Sequence, residues 1–259
     1  MSASTLSADR GGSAKRLCSM RSAASSRWWA LVAVSLAAFM TYLDNNIVNV
    51  AIPTIQHSLH LSVSGLEWVV SSYLLTLAAL LLVGGRLADV YGRRRLLLLG
   101  LAVFTLSSLA AGLASSGGVL IASRAIQGIG AALLMPPTLA IIVATFTNAR
   151  ERNMAVGIWA AVGALALALG PVLGGLISQH LRWGWIFLIN VPVGVITFVI
   201  AVLFVTESRA SSADQRWRPR RWTYGHATAL KAMSAARTTS SWSGSDPSRA
   251  PSRRNWMNG

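Results

Sequence analysis

The chain has 259 residues, 53% of them hydrophobic and only 12% charged, about half the charged share of an ordinary soluble domain. That composition excludes an average water-soluble fold, because so much apolar surface needs a solvent other than water. A net charge of +15 raises nucleic acid as a partner, yet Arg10, Lys15, Arg16, Arg21 and Arg27 precede Trp28 and ten further basic residues follow Glu207. The excess therefore lies in the two tails and not along one face, which argues against a nucleic-acid partner.

Taken in order, residues 1–27 are rich in Ser, Ala and Arg without periodicity and predict a disordered cytoplasmic leader. Six apolar segments follow near 28–51, 67–86, 95–115, 118–146, 152–177 and 185–206. Each is about the ~20 residues needed to span a hydrocarbon core. The first has no small-residue cleavage site, which disfavours a signal peptide. Pro136 and Pro137 predict a bend in the fourth, since each removes an amide donor. Basic residues alternate between connections: four at 86–95 (Arg86, Arg93, Arg94, Arg95), none at 52–66 or near 116, two at 147–152 (Arg150, Arg152) and only Arg182 at 178–184. By the positive-inside rule both termini are expected in the cytoplasm, in a multi-pass protein of the cell membrane. Residues 208–259 change abruptly to Arg, Ser, Trp and Thr. They read either as a basic segment held at anionic lipid, with Trp217, Trp222, Trp242 and Trp256 at the interface, or as an aberrant carboxy-terminus left by a change of reading frame.

Two ionisable residues interrupt apolar runs. Asp44 lies in the first segment, followed by Asn45, Asn46 and Asn49, and a charge at mid-membrane costs roughly 2.5–3.5 kcal/mol on insertion scales. Asn45 and Asn49 share a helix face. Arg124 lies in the fourth segment, three residues before Gln127. It stays protonated, so its work is to bias a neighbouring acid or hold anionic groups. For each charge the alternative is a place near a membrane surface, Arg124 reaching it by snorkelling. Between the second and third segments, Gly85, Asp89, Gly92, Arg93 and Arg94 form the pattern G-x-x-x-D-x-x-G-R-R, in which Asp89 is placed to accept from Arg93. Gly163, Gly170 and Gly174 share a face of the fifth segment, beside Pro171 and Gly175. This stripe predicts close helix packing, with an effect on whether helices two and five slide or seal. His57, His60, His180 and His226 have no metal-ligand spacing, and neither G-x-S-x-G nor a P-loop occurs, so neither an enzyme nor a cofactor is expected. The lone Cys18 forms no intramolecular disulfide.

Together these residues resemble the major facilitator superfamily over about residues 28–207. The 85–95 pattern is similar to its signature between helices two and three. Arg124-Ala-Ile-Gln127-Gly128 with Ala131 and Ala132 resembles its fourth-helix motif, and Ala166 through Gly170-Pro171-x-x-Gly174-Gly175 its antiporter motif in helix five. Leu43 to Pro53 and Trp183 to Pro192 resemble the fourteen-helix drug:proton branch, although Asn46 stands where threonine is usual and Gly184 where arginine is usual.

The resemblance implies an all-α membrane protein, a six-helix bundle equal to the amino-terminal half of the major facilitator fold with its 3+3 inverted repeat. It implies Asp89 and Arg93 as a cytoplasmic latch, and Asp44, Asn45, Asn49, Arg124 and Gln127 along a substrate and proton pathway, with Asp44 and Arg124 lining an aqueous vestibule. The function expected is proton-coupled efflux of small hydrophobic or cationic drugs, driven by the proton gradient. The chain is expected to be truncated and inactive alone, lacking a second six-helix half. The alternative is a non-transporting membrane module that pairs with itself or with a separate half.

Overall fold

The computed structural model describes residues 4–208, with side chains from residue 26 onward; the tail expected over 208–259 lies, beyond Ser208, outside the described residues. The described residues form seven helices: α1 Ser4–Leu59, α2 Val63–Tyr91, α3 Arg93–Gly112, α4 Gly117–Thr145, α5 Ala149–His180, α6 Trp185–Leu188 and α7 Asn190–Phe204. Counted as membrane elements they are six spans, because α6 and α7 make one apolar rod over Trp185–Phe204 and the apolar part of α1 is Ser26–Leu59. All six are long and apolar enough to cross a bilayer.

Most boundaries move outward from the sequence expectation, since a helix has no reason to stop where the hydrocarbon does. The largest correction is at the start. Backbone expected to lack regular structure is helical from Ser4, where Ala14, Lys15, Arg16, Leu17, Met20, Ala23 and Ala24 are good helix formers. The helix starts that do have caps are written locally. Ser62 Oγ accepts from the Gly65 amide, Ser116 Oγ from Val119 and Asn148 Oδ1 from Arg150, each satisfying one orphan donor. α4 stays one helix through Pro136 and Pro137. The sixth span keeps helical φ and ψ at Ile189 but is divided there into α6 and α7, where Pro192 supplies no amide to the Leu188 carbonyl.

α1 and α4 form the centre. α1 packs against α5 and α7, α4 against α2 and α3, and α3 meets α7. The second helix of each three-span unit thus packs on the first helix of the other, α2 on α4 and α5 on α1, the reciprocal exchange of an inverted 3+3 repeat. Close approach at these contacts depends on missing side chains. Pro136 leaves the Ala132 carbonyl without its helix donor, and Gly84 of α2 backs onto that oxygen so closely that a Cβ would collide with it. α2 and α5 are the least buried spans.

Candidate functional site

The charges in spans one and four meet inside the bundle. Arg124 Nη1 donates to Asp44 Oδ2 at 2.5 Å and to Gln127 Oε1 at 2.7 Å, the latter made possible because residues three apart share a helix face. Gln127 Nε2 donates at 2.8 Å to Asp44 Oδ1 and at 2.8 Å to Ser108 Oγ of α3. Asn190 Nδ2, at the first turn of α7, donates to the same Asp44 Oδ1 at 2.8 Å. Arg124 Nε reaches the Val69 carbonyl of α2 at 3.2 Å. The guanidinium also lies 4.2 Å from the Tyr73 ring centroid and 5.7 Å from that of Phe187, both within cation–π range. Donors from α4 and α7 thus meet on one α1 carboxylate, and α2, α3 and α6 hold the groups that surround it.

Burial gives the cluster its character. Asp44, Arg124 and Gln127 are each 0% exposed, so neither charge snorkels to an interface. Ion pairs so deep are tolerated only when the remaining lone pairs and protons are satisfied, and here both Asp44 oxygens accept charge-assisted or amide donors. The expectation that Asp44 and Arg124 line an open vestibule is therefore corrected: the guanidinium neutralises the acid inside the bundle, facing α1 from α4, and water has no access to either. A cleft of about 840 Å³ does open at the arginine-rich end between α2, α4 and α5, walled by Leu82, Gly85, Asp89, Pro136, Ala140 and Trp159. Neither buried charge borders it.

The expected asparagines divide. Asn49 Nδ2 donates to the Asn45 carbonyl one turn back at 3.3 Å, and neither asparagine joins the network. Asn49 is exposed. Asn190, Ser108 and Tyr73 were not singled out by sequence reasoning. Asn190 lay inside the Trp183 to Pro192 stretch that resembles the drug:proton branch, two residues before Pro192, but carried no role of its own there.

At the arginine-rich end the expected loop 86–95 is nearly all helix, with Gly92 alone between α2 and α3 at φ +112°. Arg93 Nη2 lies 3.4 Å from Asp89 Oδ1, and Arg93 Nη1 donates to the Ala140 carbonyl of α4 at 3.2 Å. Arg94 turns instead to the end of the last span, its Nη2 donating to the Val202 carbonyl at 2.6 Å and its amide to Glu207 Oε1 at 3.2 Å. The Ser208 carbonyl accepts from the Arg93 amide at 3.0 Å. A carboxylate on the free amides of a helix start is favourable, so Glu207 ties α3 to the sixth span; its only trace in the sequence is an acid closing an apolar run.

The fifth-helix glycines face α1. A Cβ on Gly163 would meet the Tyr42 ring at 3.0 Å, on Gly170 the Asn46 Cβ at 2.7 Å and on Gly174 the Ile47 carbonyl at 3.0 Å. The stripe therefore seals α5 to α1 and not to α2, because in the reciprocal packing α5 lies on α1 and α2 on α4. Gly175 meets nothing within 4 Å, and Pro171 sits inside the continuous α5.

A six-span bundle with a buried acid and arginine shared between repeat-related helices defines a class, that of multi-pass membrane proteins built like one half of a secondary transporter. The model of the Major Facilitator Superfamily matches residues 34–245, further than the motifs alone reached, and the chain belongs to that family. It is 44% identical over 180 residues to the multidrug resistance protein Stp of Mycobacterium tuberculosis, covering 69% of this chain and 33% of that protein. It is 45% identical over 171 residues to the methylenomycin A resistance protein of Bacillus subtilis, 66% and 37% of the two chains. The chain thus spans about a third of the length of the curated relatives it matches. In fold it is similar to the proton:xylose symporter XylE, with a TM-score of 0.62 at 16% identity over 70% of this chain and 45% of that one. A similar likeness holds to a peptide transporter of the POT type, with a TM-score of 0.61 at 18% identity, covering 82% of this chain and 44% of that one.

Proposed function

We propose that the chain supplies the first six spans of a proton-coupled exporter of small hydrophobic or cationic molecules. The observation that carries this is the Asp44–Arg124 pair. A carboxylate held at zero exposure by an arginine and two amides has no structural necessity in a membrane, where an apolar contact would pack without desolvating any charge. An acid so placed is a candidate for taking up and giving up a proton as the bundle opens. The drug-resistance names of the relatives support a drug-like substrate.

In this reading both termini face the cytoplasm of a cell-membrane protein, and Asp89 with Arg93 latches the cytoplasmic ends of α2 and α3. A second six-helix bundle, covering the exposed faces of α2 and α5, completes the path. The six spans by themselves do not transport. A chimera joining residues 28–207 to the remaining spans of the M. tuberculosis relative, expressed in cells lacking their own pumps, tests this. Dye efflux is expected from the chimera and not from the unextended chain, and Asp44→Asn is expected to abolish it. Undiminished efflux in Asp44→Asn sinks the coupling role.

A further inference from the structure

Asp44 accepts from three groups, and they are not equivalent. An ionised carboxylate needs only donors, which Arg124 Nη1, Gln127 Nε2 and Asn190 Nδ2 provide. A protonated one carries an O–H that needs an acceptor. Arg124 has no acceptor atom. Gln127 is locked by its other bonds, its Oε1 receiving Arg124 and its Nε2 also serving Ser108; turning it over would set an NH₂ against the guanidinium. Asn190 makes no other side-chain hydrogen bond among the described residues. It also stands at the Ile189 joint of the divided sixth span.

We propose that Asn190 is the positioning residue that lets Asp44 hold a proton inside the network: its amide turns over, changing from Nδ2 donor to Oδ1 acceptor. As the bundle opens to solvent, a hydronium ion gives up the proton that forms the new O–H at Asp44 Oδ1 and leaves as water, and that O–H donates to Asn190 Oδ1. Asp44 Oδ2 remains a carbonyl oxygen facing Arg124. The other groups around Asp44 leave this role to Asn190. α4 contributes the permanent cation Arg124, α2 the Tyr73 hydroxyl, which has no partner among the described residues, and α3 Ser108, already engaged with Gln127. α6 offers Phe187, and the near face of α5 offers Gly170 against Asn46. Protonation of a residue in the first span is thereby sensed by the sixth.

The inference rests on the proposed proton uptake by Asp44, and infrared spectroscopy of the whole chain in lipid nanodiscs separates the two. The protonated Asp44 carbonyl band is identified by its loss in Asp44→Asn as pH is varied. Asn190→Val and Asn190→Thr have nearly the same shape and differ in a hydroxyl that donates or accepts. The Asp44 band is expected to move to higher frequency in Asn190→Val and to return toward its native place in Asn190→Thr. An Asp44 band unchanged in both variants overturns the role of Asn190 and leaves proton uptake standing. No Asp44 band at any pH overturns both. Should the valine variant fail to fold, isotope-labelled asparagine in the unaltered chain gives the same decision: an asparagine amide band must shift in the same pH step as the Asp44 band, and a static one overturns the proposal.

Discussion

The bundle makes carboxylate–guanidinium contacts in two settings, and they behave as different interactions. Asp44 and Arg124 meet at 2.5 Å with both side chains essentially inaccessible, while Asp89 and Arg93 stand 3.4 Å apart with the Asp89 side chain 42% exposed, and Arg95 reaches Glu207 only at 3.6 Å. At the arginine-rich end, water and ions share the charges, so position there is set by backbone: the Gly92 turn, the Glu207 carboxylate on the start of α3, and Arg93 and Arg94 donating to main-chain carbonyls. In the interior nothing but the partners satisfies the charges. The surface cluster therefore behaves as a set of weak ties that are easily exchanged, and the buried cluster as a unit in which removing one member strands another.

The largest effect is expected where that stranding is worst. Arg124→Met leaves an uncompensated carboxylate among five helices and is expected to destabilise the bundle by about 3–5 kcal/mol, read as loss of folded protein on heating in detergent. Gly84→Val sharpens the comparison by perturbing the α2–α4 contact without touching a charge. Its side chain collides with backbone at Ala132, and a loss of about 3 kcal/mol is expected; a smaller one would mean that α2 shifts freely. At the surface, Gly92→Ala forces a Cβ into positive φ and against Glu207, for about 1–2 kcal/mol, with α3 loosened from the sixth span in hydrogen exchange. Arg95→Ala should change stability by well under about 1 kcal/mol, and added salt should erase even that. An Arg95→Ala loss as large as that of Arg124→Met would remove the distinction between the two settings.

The same contrast governs what the sequence disclosed. Asp44 and Arg124 stood out because an ionisable residue in an apolar run demands an explanation, and Gln127 followed from helical spacing. Neutral polar residues carry no such signal. Asn190 finds its partner 146 positions away and Ser108 meets Gln127 across 19, distances over which periodicity says nothing. Spacing fixed which residues share a face but not which neighbour that face meets. The glycine stripe of α5 was accordingly legible while its seat on α1 was not, and the presence of two charges in apolar runs was legible while their depth and enclosure were not. The 85–95 segment read as a loop because arginines and glycines punctuate it, yet the only true interruption is the one residue at positive φ.

The measurement closest to the centre of the account is a double-substitution cycle on the buried pair, comparing Asp44→Asn, Arg124→Met and the two together by thermal unfolding in a bilayer mimic. If each charge is there for the other, the double variant recovers most of the stability that Arg124→Met alone loses. Losses that simply add would mean that the acid and the guanidinium do not meet inside the bundle, and the reading of the site would fail with them.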